Sequence, residues 1–176
     1  DRPIGPRTPT AGGGVFFQMI SLGIDPGVNG GIVALTPTAV VVHKMPETEA
    51  DIAHMLRWFG AEGGERADFC VIEELDPRPT YWKDKQSGEF KRSILKSTAI
   101  LLQHYGFIRG CLHANGIPFD SIKPRAWQRS MGIPLKAGKK DMKNRAQALF
   151  PSVKVTNATA DALLLAELAR RMRASP

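Results

Sequence analysis

Residues that would place this chain in a metal-binding, disulfide-bonded or membrane class are scarce. Cys70 and Cys111 are the only cysteines in 176 residues, and they form no CxxC motif or Cys/His pattern. A zinc site is therefore not expected, and both thiols are expected to be reduced, as in an intracellular protein. The chain has no run of about 18 apolar residues, so neither a membrane span nor a membrane partner is expected.

The motifs of several cofactor-dependent and hydrolytic enzymes are also missing. The four histidines make no metal-spaced pair, and no Ser/His/Asp arrangement is present. No glycine-rich loop ends in Lys-Ser or Lys-Thr, as a phosphate-binding loop would. No organic cofactor is expected.

Positive charge is abundant, and it is concentrated in the middle of the chain. The net charge is +7 and the isoelectric point about 9.7. Residues 78–145 hold 15 Lys and Arg against 4 Asp and Glu, whereas the remainder holds 9 basic and 13 acidic residues. A basic middle between acidic ends favours a nucleic-acid groove beside a carboxylate site, although solvated helix faces would give a similar composition.

The hydrophobic pattern predicts one α/β domain after a short tail. Residues 1–18 hold three prolines and a Gly-Gly-Gly run, which predicts a tag remnant or a disordered tail before a domain at 19–176. The order of the predicted elements indicates a mixed five-stranded sheet flanked by helices. Predicted strands cover 20–25, 31–36, 39–44, 68–73 and 119–123; predicted helices cover 47–59, 93–115, 124–131, 139–150 and 158–173; and 76–91 is predicted as a polar loop.

Two acids end predicted strands, and a third lies on the apolar last helix. Asp25 follows the first strand in GIDPG, and Glu73 ends the fourth in VIEE. Because ligands bind at strand ends in α/β sheets, Asp25 and Glu73 would face each other if their strands were neighbours. Alternation should point Glu74 to the opposite side. Asp161 stands among small and apolar residues in ADALLL, where a buried carboxylate needs a cation or a donor.

These three acids predict a metal-dependent nuclease site. Carboxylates suit hard cations such as Mg²⁺ or Mn²⁺, and two ions about 4 Å apart can activate water and stabilise the leaving oxygen in phosphodiester cleavage. Two ions are therefore expected. Asn157, four residues before Asp161, is either the N-cap of the last helix or a residue beside the metals. Asp25 has an alternative role too, since Asp before Pro often opens a turn.

Together, these segments resemble the RuvC family of Holliday-junction resolvases, within the ribonuclease H-like fold. The resemblance spans about residues 20–171 and rests on GIDPG at 23–27, VIEE at 71–74 and ADALLLA at 160–166. The stretches 106–127, with GIP and KPRAW, and 139–151 are more similar to phage-type and organellar resolvases. The resemblance implies a ribonuclease H-like fold and a homodimer that cuts four-way DNA junctions symmetrically with divalent metal.

The resemblance also implies a ligand set. Asp25, Glu73 and Asp161 match three of the family's four acidic metal ligands. The fourth acid falls three or four residues before the last, where this chain has Ala158 and Asn157. Asn157 is therefore either a neutral ligand or an Asp-to-Asn substitution that inactivates the site.

Two lysines match those that the family uses near the scissile phosphate. Lys123 corresponds to one of them, and Lys140, or its neighbour Lys139, corresponds to the other. A lysine there would neutralise charge that builds on the phosphate in the transition state. The alternative for each is an ordinary lysine on a helix surface.

Aromatic and basic residues alternate in the predicted loop after Glu73, a pattern that suits base stacking with phosphate contacts. The family's counterpart loop enters the junction centre, so Tyr81 or Trp82 is expected to act as a wedge; the alternative is that these rings anchor the loop to the body. The expected DNA-binding residues are Arg78, Tyr81, Trp82, Lys83, Lys85, Lys91, Arg92, Arg125, Lys136, Lys139 and Lys143.

Other functions share part of the pattern. An actin-like ATPase also has a GIDxG strand, but 176 residues leave no room for its second domain. A ribonuclease H-like nuclease acting on RNA–DNA hybrid would use the same carboxylates. A junction-binding protein without a working metal site would account for Asn157. The protein is expected in the cytoplasm of a bacterial or phage-infected cell, or in an organelle.

Overall fold

The computed structural model describes residues 19–75, 80–84, 86–93 and 96–174. The predicted tail at 1–18 lies outside them. The strands are β1 (Ser21–Asp25), β2 (Gly31–Leu35), β3 (Val40–Lys44), β4 (Phe69–Glu73), β5 (Thr80–Lys83), β6 (Phe90–Ser93) and β7 (Phe119–Ile122). The helices are α1 (Glu49–Trp58), α2 (Lys96–Ala114), α3 (Pro124–Ser130), α4 (Lys139–Leu149) and α5 (Ala160–Ala174).

Five strands form one mixed sheet in the order β3-β2-β1-β4-β7. Hairpin connections make β1, β2 and β3 an antiparallel meander, whereas β1, β4 and β7 run parallel because helices connect them. The prediction of a mixed five-stranded sheet flanked by helices is confirmed. Strands β1 and β4 are neighbours, which is the arrangement that lets Asp25 and Glu73 face each other.

The prediction of a loop at 76–91 is wrong, because two strands, β5 and β6, lie in or next to this segment. They form a separate antiparallel sheet in which Tyr81 pairs with Arg92 and Trp82 with Lys91. The turn between them closes with a hydrogen bond from Asp84 N–H to Glu89 O (2.8 Å), and Gly88 takes a positive φ of 73°. The polar composition favoured a loop, and neither β5 (TYWK) nor β6 (FKRS) has the alternation of apolar and polar residues that indicates a strand.

The sheet has two faces with separate cores. We call the side covered by α3, α4 and α5 the α5 face; its core includes Val33, Val71 and Trp127. The other side, the α1–α2 face, buries Ile24 and Ile72 against helices α1 and α2. Because successive side chains on a strand alternate, β2, β3, β4 and β7 contribute to both cores, whereas β1 contributes apolar side chains, Leu22 and Ile24, to the α1–α2 face alone.

Close packing of α5 on β1 depends on a glycine. A Cβ atom added at Gly23 would lie 2.1 Å from the backbone nitrogen of Ala166 and 2.2 Å from the carbonyl oxygen of Ala162. These are backbone atoms, so no side-chain movement could relieve the overlap. The absence of a side chain at Gly23 therefore lets the helix that contains Asp161 lie directly on the strand that ends in Asp25.

Both cysteines are free; Cys70 is buried on β4, and Cys111 is partly buried on α2. In the part of the chain that the structure describes, no helix is both long and apolar enough to cross a membrane.

Candidate active site

Asp25 and Glu73 end two adjacent parallel strands. Ile24 pairs with Ile72, so the next residue on each strand is one of the two acids. Both side chains lie on the α5 face, because Ile24 and Ile72 belong to the core of the opposite face. This is the crevice at the carboxyl ends of the strands where α/β proteins bind ligands. The sequence-based choice of Glu73 over Glu74 agrees with this geometry.

A tight turn holds the Asp25 carboxylate. Its Oδ1 accepts a hydrogen bond from Gly27 N–H at 3.0 Å, and Gly30 N–H donates to Gly27 O at 2.8 Å. A Cβ atom at Gly30 would lie 2.6 Å from Cγ of Asp25 and 2.3 Å from its backbone oxygen. Gly30 therefore leaves the space that the Asp25 side chain occupies. Asp25 therefore has both of the roles considered for it, because its carboxylate accepts a hydrogen bond in the turn after β1 and also lies in the crevice.

A buried tryptophan donates to Glu73. Trp127 on α3 is fully buried, and its Nε1–H donates to Oε2 of Glu73 at 2.7 Å. Trp127 is not among the site residues predicted from the sequence. A signal was present, because a tryptophan in an apolar helix position still needs an acceptor for its N–H. Its partner is 54 residues away, which no local pattern reveals.

Asp161 completes the cluster from the first turn of α5. Burial is the largest cause that raises the pKa of Asp161, to about 6, and the negative charge of Asp25 adds to it. Burial likewise raises the pKa of Glu73 to about 7; the Trp127 hydrogen bond opposes this rise, and the charges of Asp25 and Asp161 increase it. The pKa of Asp25 is raised by burial and lowered by its bond to Gly27. The three acids therefore act on one another as one electrostatic group.

Of the two candidate lysines on α4, Lys139 interacts with the acids. Its positive charge lowers the pKa of both Asp25 and Asp161. No such interaction with these carboxylates is present for Lys140 among the described residues. Of the two lysines left open by the sequence, this electrostatic effect favours Lys139, and its role beside the phosphate stays a prediction. Lys123 is exposed at the N-cap of α3, four residues before Trp127.

Asn157 is not the N-cap of the last helix. Helix α5 begins at Ala160, and it is preceded by a turn in which Asn157 is exposed and Thr159 is buried. Thr156 and Thr159 form this turn: Thr156 N–H donates to Oγ1 of Thr159 at 3.1 Å, and the two hydroxyls lie 3.0 Å apart. Because the helix starts later than predicted, Asn157 lies below its first turn rather than on the helical face of Asp161.

Carboxylate oxygens are the ligands that hard divalent cations prefer. A bound cation would also stabilise the three carboxylates, because each one disfavours the negative charge of the others. Within residues 19–75, 80–84, 86–93 and 96–174, however, no group of three His, Cys, Asp or Glu side chains is close enough to hold a metal ion. The three acids are thus near enough to shift one another's pKa, but they are not arranged as a closed set of metal ligands.

The candidate DNA-binding residues divide into two regions. Tyr81, Trp82 and Lys83 lie on β5, and Lys91 and Arg92 on β6. Arg78, Lys85 and the side chains of both strands lie outside the described part of the structure. Arg125, Lys136, Lys139 and Lys143 are exposed on α3, on α4 and on the segment between them. Helices α3 and α4 pack against α5, so this second group lies on the side of the sheet that contains the acids.

His104 is a second residue near the site that is not among those predicted from the sequence. Its Nδ1 donates to the backbone oxygen of Pro26 at 2.8 Å, which links α2 to the turn after Asp25. No sequence signal distinguishes it from the other histidines, because the contact joins residues 78 positions apart.

Comparison with known proteins identifies the fold. No protein-family model matches the sequence, and a search of curated proteins finds no relative. A Thermus thermophilus RuvC structure is similar, with a TM-score of 0.53 and 18% identity over 88% of this chain and 97% of that one. Another T. thermophilus RuvC structure, in complex with a Holliday junction substrate, gives a TM-score of 0.50 and 15% identity over 88% and 96%. The predicted RuvC-like, ribonuclease H-like fold is confirmed; the phage or organellar branch stays a prediction.

Proposed function

We propose that this chain, which has the fold of RuvC, is a metal-dependent endonuclease that resolves four-way DNA junctions by symmetrical paired nicks. The observation that supports this most is the meeting of Asp25, Glu73 and Asp161 at one crevice. Nothing in ordinary core packing accounts for three mutually repelling carboxylates there. A RuvC of the same fold has been solved with a Holliday junction substrate, which favours junction DNA over other nucleic acids.

Asp25, Glu73 and Asp161 would hold Mg²⁺ or Mn²⁺, most simply as two ions. When bound, such ions supply an activated water and charge stabilisation for phosphodiester hydrolysis. The Trp127 N–H orients Glu73, and Gly27 N–H orients Asp25. Lys139 places a positive charge beside the acids, where it would attract and stabilise the phosphate.

The proposal also needs a homodimer and a junction-contacting surface. Paired symmetrical nicks require two equivalent sites, which a two-fold dimer provides. The hairpin of β5 and β6 would enter the junction, with Tyr81 or Trp82 stacking on splayed bases. The exposed cations on α3 and α4 would follow the phosphate backbone of an arm.

Cleavage assays with defined substrates test the activity. A synthetic four-way junction, a linear duplex and an RNA–DNA hybrid are incubated with Mg²⁺ or Mn²⁺, and products are mapped on each strand. We expect paired symmetrical nicks on the junction alone, and a loss of at least about 100-fold in Asp25→Asn. Cleavage of the hybrid instead would favour a ribonuclease H-like nuclease and overturn the junction specificity.

A junction-binding protein with an impaired site is the second candidate. It is favoured by Asn157, an exposed amide where the family has its fourth acid, and by the absence of a preassembled ligand group among the described residues. Since an amide binds divalent metal more weakly than a carboxylate, Asn157→Asp should raise cleavage if the site was inactivated. Tight junction binding without cleavage by either protein would establish the binder.

The wedge role is tested separately. Trp82→Ala should impair junction cleavage more than it impairs binding to a plain duplex, because stacking on a splayed base exists only at the junction. Equal losses on both substrates would reject a wedge and favour the alternative that the ring anchors the hairpin.

A further inference from the structure

A groove with two lysines lies on the α5 face, at the sheet edge opposite β7 and α3. Its volume is about 440 Å³. One wall is the edge strand β3, and the other is the segment that leads from α4 into α5. Its lining includes valines, Lys44, Lys154, Thr156 and Thr159, and none of the lining residues is acidic.

The sheet register connects this groove to the candidate active site. Asp25 pairs with Gly31, and Gly31 pairs with Lys44, so the three residues form one row across the sheet. Paired residues point to the same face, and two strand spacings place Lys44 about 10 Å from Asp25 between Cα atoms. The intervening residue is Gly31, and the carbonyl of Ala158 and the methyl group of Thr159 lie over it, so a strand that runs from the acid to the lysine crosses the turn before α5.

The opposite wall reaches the same site from the chain segment before α5. Thr159 is two residues from Asp161, and its hydroxyl contacts that of Thr156. Lys154 is two residues further back and, like Lys44, is exposed. Neither lysine makes an ion pair with any residue in the described ranges. Both cationic groups are therefore available to a ligand, and no carboxylate in the groove would repel an anion.

We propose that this groove binds the sugar-phosphate backbone of a DNA strand as it leaves the candidate active site, with Lys44 and Lys154 contacting phosphates. The inference rests on the proposed nuclease function and extends its DNA path beyond the basic segment 78–145. An acidic crevice repels DNA unless cations hold the strand on both sides of it. Cations on α3 and α4 supply one side, and the groove supplies the other. The valines offer an apolar floor to the sugars, and about 10 Å along the axis of a duplex spans about three phosphates of one strand.

Junction binding at several salt concentrations, without divalent metal, tests the groove. Kd is measured for the full chain, the double variant Lys44→Ala/Lys154→Ala and the control Arg66→Ala, which removes an exposed cation just before β4 and outside the groove. We expect the double variant to raise Kd about 10-fold near 0.1 M salt and to reduce the slope of log K against log salt by about 1 to 2, since each lost phosphate contact removes about 0.9. The control should match the unsubstituted protein.

Each outcome has a distinct meaning. If the unsubstituted chain binds the junction and the double variant has the same Kd and the same salt dependence, the groove does not bind DNA and the proposed function stands. If the unsubstituted chain binds no DNA, the proposed function fails and the inference fails with it. Equal thermal unfolding midpoints in all three proteins show that lost binding is not lost folding.

Replacing single phosphates of the junction with uncharged analogues locates the phosphate that Lys44 contacts. A methylphosphonate two to four phosphates from the cleavage point, on one side of it, should weaken binding of the unsubstituted protein and leave Lys44→Ala unaffected. If the same neutral phosphate weakens both proteins equally at every position, Lys44 does not contact the strand and the groove proposal is overturned.

Discussion

The two faces of the sheet are built from the same strands and differ in what they bury. On the α1–α2 face, the ends of β1 and β4 carry Ile24 and Ile72, both fully buried in an apolar core. One residue further along, the α5 face carries Asp25 and Glu73, whose pKa values burial raises. Both faces bury an apolar core, but the α5 face also contains a carboxylate cluster that opposes folding until a cation or a donor compensates it.

Of the features that distinguish the two faces, the close packing of α5 on β1 should be the most sensitive to substitution. Gly23→Ala places a methyl group against the backbone of Ala166 and Ala162, so we expect a loss of roughly 3 kcal/mol in the free energy of unfolding. Urea unfolding measures it. The control is Gly110→Ala on α2, where an added Cβ meets nothing within 4 Å and should stabilise by about 0.5–1 kcal/mol. Similar effects at both glycines would contradict the helix-on-strand account.

The tryptophan that donates to Glu73 should matter for metal response more than for folding. Trp127→Phe retains most of the ring volume and removes the N–H, so we expect cleavage to fall about 10- to 100-fold, with a higher Mg²⁺ concentration at half-maximal rate. Trp58→Phe is the matched control, because Trp58 is 54% exposed on the other side of the sheet. An unchanged Mg²⁺ midpoint in Trp127→Phe would reduce Trp127 to a packing residue.

The carboxylate cluster should make stability fall as pH rises. Glu73 ionises near its ordinary pKa of 4.5 in the unfolded chain and only at about 7 in the folded protein. The unfolded chain therefore loses its proton first, and the free energy of unfolding should decrease between these pH values, by on the order of 2 kcal/mol without divalent metal. Asp161 acts in the same direction between 3.8 and about 6.

Denaturant unfolding across pH 4 to 8 measures this trend. Glu73→Gln keeps an acceptor for Trp127 and removes the titrating group, so its stability should fall less over the same range. Parallel curves for the two proteins would mean that Glu73 does not titrate abnormally.

The smallest effect on stability and cleavage is expected at Ile24, which precedes Asp25 in the sequence but lies on the α1–α2 face. Ile24→Val removes one buried methyl group next to Asp25 in sequence and should cost about 1 kcal/mol. Junction cleavage per folded molecule should stay unchanged, because the side chain points away from the carboxylates. A cleavage loss as large as that of Trp127→Phe would show that the two faces are not separate in function.

Local patterns were sufficient for most of the fold. Continuous or alternating apolar runs located β1, β2, β3, β4 and β7, and the same alternation placed Glu73, rather than Glu74, beside Asp25. The hairpin was missed because its two strands, TYWK and FKRS, have only four residues each and no alternation of apolar and polar residues. The start of α5 was placed too early because two threonines, which bond each other, close a turn before the helix begins.

The sequence by itself determined which residues end the strands, which acids lie among apolar neighbours and where positive charge accumulates, because these properties depend on residues a few positions apart. Only the tertiary structure decided that Trp127 donates to Glu73, that Lys139 rather than Lys140 interacts with the acids, and that Lys44 and Lys154 share one groove. Each of these contacts joins segments far apart in the chain. They form because α5 packs directly on β1 over Gly23 and brings the surrounding helices to the carboxyl ends of the strands.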